Sequence, residues 1–331
     1  MQTKLLEAVP NFSEGRDKSV IEHICAAIQK HDKVKIISCD MGYDANRTVI
    51  TIIGEAKAME LAMFDAMKAA AEKIDMSTHT GEHPRIGATD VMPFIPLSGA
   101  TIDDAISAAH SLAARVAKEL SIAVYCYEKA AFSHHKRNLF ECRKGEYEGI
   151  MQKLQSPEWK PDFGSDKATP QLTKSGISVI GAREFLLAVN FNLTTKDSSI
   201  AKLIAQRVRK SGYIKDGKRI EGSLEGAKAI GWYMEKYGFA QVSMNIVDIN
   251  KTPLHIAFKE VCKVAKEHGT EVTGTEIIGM LPLRVMTEAA DYFNNNNSNL
   301  TTNQKIELSI QTMNFDQIEP FRYHKESDFY F

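Results

Sequence analysis

From Ser77 to Phe94 the chain reads STHTGEHPRIGATDVMPF. His79, Glu82, His83, Arg85 and Asp90 crowd a stretch interrupted by Gly81 and Pro84, and an apolar run follows. Residues of these types could ligate zinc, move protons, or form a polar turn between a helix and a strand. The zinc reading needs more than H-x-x-x-H. A finger requires a paired cysteine about a dozen residues upstream. Ala66 stands there instead, within a helix-forming run, and the nearest cysteine before the histidines is Cys39. Gly81 and Pro84 oppose the helix that would put both imidazoles on one face, and H-E-x-x-H is absent. No metal is therefore expected, although His79, His83 and Asp90 would be the ligands of a metal-dependent amidohydrolase. The proton-transfer reading rests on His83. An imidazole titrates near pH ~6.5 and can both accept and return a proton. Loops at strand ends are where α/β proteins carry reactive groups.

Two further stretches bring functional groups to strand ends. In CDMGYDANRTV, Cys39–Val49, Asp40 closes one strand, Gly42 permits a turn, and Asp44, Asn46 and Arg47 lead into the next. This is either a solvated connection with an Asx turn or an acceptor and a cation displayed together. In VPNFSEGRD, Val9–Asp17, backbone N–H groups before a helix could hold an anion. The Gly-rich dinucleotide fingerprint, the P-loop and the G-x-S-x-G elbow are all missing.

Short strands alternating with amphipathic helices must position these groups. Lys4–Val9, Lys33–Asp40, Arg47–Glu55, Val91–Ile95 and Ile122–Glu128 read as strands. Asp17–Lys30 sets Val20, Ile21, Ile24 and Ile28 on one helical stripe, and Ala56–Ile74 is a second helix without Gly or Pro. A third begins at the T-x-x-D box of Thr101 and Asp104. Pro157–Thr173 has three prolines and no periodicity, so it is a loop or an inter-domain segment. Beyond it, AVNFNLTTKDSSIAKLI from Ala188 overlays AVPNFSEGRDKSVIEHI from Ala8, matching Asp197 to Asp17 and Ser199 to Ser19. Ile86–Leu97 also echoes Val272–Leu283. Either the halves share a structure or any strand–turn–helix pair gives such matches. The expected division is 1–177 and 178–331. The tail Asn314–Phe331 is expected to pack irregularly, and the asparagine tract at Asn294–Asn297 to lie in a surface loop.

The 331 residues are 44% hydrophobic and 25% charged, the mix of a soluble globular chain. A net charge of −1 supplies no global field for nucleic acid or an anionic membrane. The five cysteines are scattered and odd in number, which points to a reducing compartment and a cytoplasmic protein. No apolar run reaches the ~20 residues of a membrane span, and the N-terminus lacks a signal-peptide core.

Eight stretches occur together in order: VPNFSEGRD, DANRTVIT, GEHPRIGATDVMPFIPL, RKGEYEGI, PEWKPDFG, VIGAREFLLAVNFNL, AIGWY and AQVSMNIVD. In this the chain resembles the glutamate formiminotransferase family from Leu6 to about Tyr323. The resemblance implies transfer of a formimino group from N-formimino-L-glutamate to tetrahydrofolate, a co-substrate, within histidine breakdown. It also implies an α/β (α+β) fold of two similar subdomains, each a mixed sheet with helices on its outer face, the sheets facing each other across a substrate tunnel. A homodimer is expected, and a stand-alone transferase without the cyclodeaminase half. The family's catalytic histidine maps onto His83. Its folate-binding segment maps onto Gly164, Ser165, Asp166, Lys167, Ala168, Thr169, Pro170, Gln171, Leu172 and Thr173, a more charged run here than expected.

Given that reaction, Asp40 is the candidate to fix the His83 tautomer, and Glu82 or Asp90 to stabilise the protonated amidine. Arg47, Arg85 and Arg183 are the candidate clamps for substrate carboxylates, and Lys167 could meet the folate tail. The alternatives are a 5-formyltetrahydrofolate cyclo-ligase-like activity and a non-catalytic folate-binding module.

Overall fold

The apolar stripe after Asp17 folds as helix α1, Lys18–Ile28, and buries Ile21, Ile24, Ala27 and Ile28. The Asp17 carboxylate accepts the Ser19 N–H at 2.8 Å and caps its first turn. Each fully buried isoleucine contributes about 1.5–3 kcal/mol of transfer free energy. A computed structural model describes residues 3–43, 45–235, 237–295, 299–318 and 320–321. The chain divides into two units, Met1–Glu184 and Phe185–Phe331.

In the first unit the strands are β1 (Leu5–Ala8), β2 (Asn11–Phe12), β3 (Val34–Gly42), β4 (Arg47–Glu55), β5 (Thr89–Pro96), β6 (Ala123–Glu128) and β7 (Ile177–Ala182). Both β1 and β2 lie between β4 and β5, and β3 flanks β4, all antiparallel. Next to β5 comes β7, parallel to it and to β6 beyond. Helices α2 (Ala56–Lys73) and α3 (Ile102–Leu120) join α1 on one face. The expected Thr101–Asp104 capping box is present at the start of α3. Successive strand residues point to opposite faces. Met92, Ile180 and Cys126 therefore enter the helix-side core, while their neighbours Val91, Val179 and Tyr125 enter a second core. Residues Ile86, Cys142, Ile150, Leu154 and Leu172 complete that core. They bring the short helices α4 (Leu139–Arg143), α5 (Ile150–Lys153) and α6 (Pro170–Ser175) onto the sheet.

The second unit contains β8 (Leu187–Leu193), a small hairpin of β9 (Tyr213–Lys215) and β10 (Lys218–Ile220), then β11 (Ala227–Met234), β12 (Phe239–Ile246) and β13 (Val272–Ile278). Its main sheet has the order β11-β12-β8-β13, antiparallel throughout. Helices α7 (Ser198–Val208), α8 (Leu254–Glu267), α9 (Leu283–Phe293) and α10 (Thr302–Met313) supply core around Val189, Phe191 and Val242.

The two halves share one path. The order β1-α1-β3-β4-α2-β5 folds into β3-β4-β1-β5, and β8-α7-β11-β12-α8-β13 folds into β11-β12-β8-β13. Both are the split βαββαβ arrangement. The aligned Asp17 and Asp197 are the same cap, since Asp197 accepts the Ser199 N–H at 2.7 Å. The other echo is out of register: Phe94 lies opposite Ala8, whereas Ile278, not Met280, lies opposite Ala188. A division after residue 177 would fall just inside β7, whose pairing ties it to β5 and β6; the units part after Glu184. Pro157–Thr173 is thus a connection within the first unit. Phe315 is buried in the second unit's core, and residues 322–331 and 296–298 lie outside the described residues.

Candidate active site

The loop between α2 and β5 is held down by Asn46, which adopts a left-handed backbone with φ 45° in the turn after β3. The Asn46 side chain accepts the Gly15 N–H at 2.9 Å and donates to the Thr80 carbonyl at 2.8 Å. Its own carbonyl accepts from His79 Nε2 at 3.0 Å. Gly81 passes so close to the Ala45 carbonyl that a Cβ has no room there. Arg85 Nε–H donates to His79 Nδ1 at 3.2 Å, so both ring nitrogens of His79 are engaged and neither is open to a metal.

Two residues beyond Gly81, His83 is half-buried. Its Nδ1 lies 2.7 Å from the Pro84 carbonyl. A carbonyl only accepts, so Nδ1 carries the hydrogen and Nε2 keeps its lone pair. The pKa of His83 is held below the usual histidine range, first by burial and then by the charges of Arg47 and Arg143. The Pro84 carbonyl and Asp90 act in the opposite direction. His83 is therefore a neutral imidazole at cellular pH with one basic nitrogen.

Asp90, near the start of β5, is fully buried. One carboxylate oxygen accepts the Ile86 N–H at 2.9 Å, and the other pairs closely with Arg143 Nη2. Arg143 ends α4, and Arg47 opens β4 opposite Gly42. Both Nε atoms, of Arg47 and of Arg143, are buried without a hydrogen-bond partner among the described residues. Burial, reinforced by the Arg143 charge, lowers the pKa of Arg47 to about 10, against the pull of Asp90. Sequence reasoning did not single out Arg143. The available signal was its place at the head of RKGEYEGI, one of the eight stretches.

Arg85 takes a different part. Its Nη1 and Nη2 grip Glu148 at 2.8 and 2.6 Å, Nη1 also meets Glu146 at 3.0 Å, and Nη2 donates to the His79 carbonyl at 3.2 Å. Every guanidinium nitrogen is engaged. Next to it a depression of about 450 Å³ is lined by Thr80, Gly81, Arg85, Gly145, Glu146 and Glu148.

Asp40 is exposed on β3 and accepts Ser38 Oγ at 3.0 Å. It lies opposite Val49, so its side chain shares a face with Arg47, one diagonal away. It is not among the leading charges that act on His83. Arg183 bonds through its N–H to the Phe94 carbonyl and acts on Glu7 and Tyr127. Phe94 lies four residue steps along β5 from Asp90, about 13 Å. The segment Gly164–Thr173 is a mostly exposed loop running into α6, with Gly164 at φ 92°. Thr169 caps α6, Asp166 pairs with Lys160, and Lys167 is exposed. Tyr147 joins this segment to the His83 loop: its OH donates to the Thr173 carbonyl at 2.6 Å and its N–H to the Arg85 carbonyl at 2.9 Å. In the second unit, Trp232, Gln241, Asn192 and Glu276 form a hydrogen-bonded row on the sheet, built from residues of the quoted stretches AIGWY, AQVSMNIVD and AVNFNL together with β13.

Two split-βαββαβ halves, the first with a half-buried imidazole under the influence of two guanidinium charges, define an α/β protein. Comparison with known proteins narrows it. The chain matches the N-terminal subdomain of the formiminotransferase domain over residues 5–183 and the formiminotransferase domain over 188–330. It is 40% identical over 321 residues to the formimidoyltransferase-cyclodeaminase of Gallus gallus, covering 96% of this chain and 58% of that one. It is 37% identical over 290 residues to the glutamate formimidoyltransferase of Streptococcus pyogenes serotype M1 (88% and 93%), and 38% identical over 291 residues to that of Thermoplasma acidophilum (87% and 92%). The chain thus spans little more than half the length of the longer relatives. It belongs to the formiminotransferase family.

Proposed function

We propose that the chain is a glutamate formimidoyltransferase, moving the formimino group from N-formimino-L-glutamate to N5 of tetrahydrofolate to give 5-formiminotetrahydrofolate and L-glutamate. The observation that carries this is His83, with Nδ1–H donated to Pro84 and Nε2 basic, under the charge of Arg47 and on a loop of a formiminotransferase-family chain. Folate N5 attacks the formimino carbon, forming a C–N bond and a tetrahedral intermediate. His83 Nε2 takes the proton released from N5 and returns it to the glutamate nitrogen as the original C–N bond breaks. Arg47 holds a substrate carboxylate. Asp40, an exposed carboxylate on the same sheet face, meets the cationic amidine. The folate occupies the Gly164–Thr173 segment, which Tyr147 ties to the His83 loop.

The family resemblance also supports a homodimer in the cytoplasm; a monomer mass in sedimentation would remove the dimer. Incubating the purified chain with formiminoglutamate and tetrahydrofolate and following the folate product tests the reaction. His83→Ala is expected to lower kcat by roughly 10²–10⁴ with folate affinity retained. Near-normal turnover of that variant would remove His83 from the mechanism.

A further inference from the structure

We propose that Arg143 is a specificity-determining residue of this site, forming with Arg47 a two-guanidinium receptor for one carboxylate of the donor. The inference rests on the transfer reading above and adds a residue to it.

Charge balance is the first argument. Asp90, paired with Arg143, is a buried carboxylate set against two half-buried guanidinium groups, and Asp40, one diagonal from Arg47, is exposed to water that screens it, so positive charge is in excess on the buried side. Unbalanced charge in a partly buried site is costly, and a bound anion removes that cost. Hydrogen bonding is the second. Arg143 uses Nη2 on Asp90 while its Nε, like that of Arg47, is buried and has no partner among the described residues. The third is rigidity. Lys153 Nζ donates to the carbonyls of Glu141, Cys142 and Lys144 at 2.6, 2.7 and 3.1 Å and so fixes the chain end from which Arg143 projects. Arg85, by contrast, is fully engaged by Glu146, Glu148 and His79.

A carboxylate seated between the two arginines also neutralises the field they impose on His83. Besides burial, the leading influences on that ring are the charges of Arg47 on β4, Arg143 on α4 and Asp90 on β5, and the Pro84 carbonyl that its Nδ1 meets. Binding of the donor therefore makes His83 a stronger base at the moment it is needed.

The test follows the His83 imidazole by NMR in the full chain, with and without L-glutamate, alongside donor kinetics for Arg143→Gln and Arg143→Lys. In the wild type, glutamate should raise the His83 titration midpoint. In Arg143→Gln the glutamate Kd and the donor KM should rise about tenfold to a hundredfold, the loss of one charge-assisted pairing. The glutamate-induced shift should shrink and tetrahydrofolate affinity should stay within about twofold. Arg143→Lys should recover part of the affinity because it keeps the charge. If Arg143→Gln fails to fold because Asp90 is left unpaired, Asp90→Asn/Arg143→Gln removes both partners and should show the same affinity loss. A folded variant that binds glutamate and donor as the wild type does overturns the proposal. A wild type that shows no transfer but whose His83 still responds to glutamate would sink the transfer reading and leave the receptor standing.

Discussion

Replacing Arg85 by lysine keeps the positive charge and removes the planar fork. The guanidinium side chain is only 8% exposed, whereas its carboxylate partners Glu146 and Glu148 are 43% and 64% exposed. Those carboxylates can return to water, so the loss is well below the ~3–5 kcal/mol of breaking a buried pair. Hydrogen bonds to charged groups are worth ~1.5–3 kcal/mol each. A lysine ammonium recovers some of them, and solvent screening discounts the rest. A net destabilisation of about 2 kcal/mol follows. In a unit of this size that lowers Tm by roughly 4–8 °C. The released ends are the His79 contacts and the link to the loop bearing Glu146 and Glu148. The His83 loop loosens, and kcat should fall about tenfold, as small misplacements of catalytic groups do. KM for formiminoglutamate should change by less than about twofold. Calorimetry and steady-state kinetics on the same preparation decide it. A KM raised tenfold with Tm unchanged would refute this reasoning and return Arg85 to the substrate, the role its residue type suggests from sequence alone.

Gly81→Ala should lower kcat at least as strongly, because a Cβ there collides with the Ala45 carbonyl and pushes the chain two residues before His83; wild-type kinetics would show that the loop is not set by this contact. Asp40→Asn should reduce kcat while leaving the pH dependence of kcat/KM in place, since Asp40 is not among the leading influences on His83; a displaced acid limb would show that it is. Glu7 is buried, and burial pushes its carboxyl up to about 7 against the Arg183 charge. Its folded value lies above the unfolded one, so its contribution to stability is complete below about pH 4.5 and is lost as pH rises through 7. Glu7→Gln should therefore flatten the fall in stability between pH 5 and pH 8 by about 1–3 kcal/mol in denaturant melts; an unchanged slope would place the titrating group elsewhere.

Local patterns recovered most of the framework, because they record which face of an element meets a core. Ile21, Ile24 and Ile28 fall on the buried side of α1, Arg47–Glu55 is β4 from end to end, and Thr101 and Asp104 close the expected capping box. The Asp17 and Asp197 caps made the shared path of the two halves visible. Pairing over long separations left no such record. Asp90 meets Arg143 across 53 positions and Arg85 meets Glu148 across 63. Arg47, Arg85 and Arg183 looked alike as residue types; only their partners separate a guanidinium with an unpaired Nε from one that is fully engaged. The run Pro157–Thr173 had no periodicity because side chains hold it: Lys136 Nζ donates to the Lys160 carbonyl and to Asp162, which also accepts the Cys126 N–H.

The tautomer of His83 was expected to be fixed by a carboxylate, and the Pro84 carbonyl occupies that position. The difference has a chemical consequence. A carboxylate on Nδ1 would favour the imidazolium and raise the proton affinity of the ring. A neutral carbonyl orients the ring with a smaller effect of that kind, and Arg47 and Arg143 lower its proton affinity further. The ring is then a weaker base, and its conjugate a stronger acid, than a free imidazole. Formimino transfer asks for that combination. Once folate N5 has bonded to the formimino carbon it is positively charged and releases its proton readily. Expelling the glutamate nitrogen is harder, because it must leave protonated. An imidazolium of lowered pKa delivers that proton with greater driving force. A donor carboxylate seated between the arginines offsets part of that lowering through both transfers, and delivery of the proton to the departing glutamate nitrogen returns the ring to the neutral imidazole.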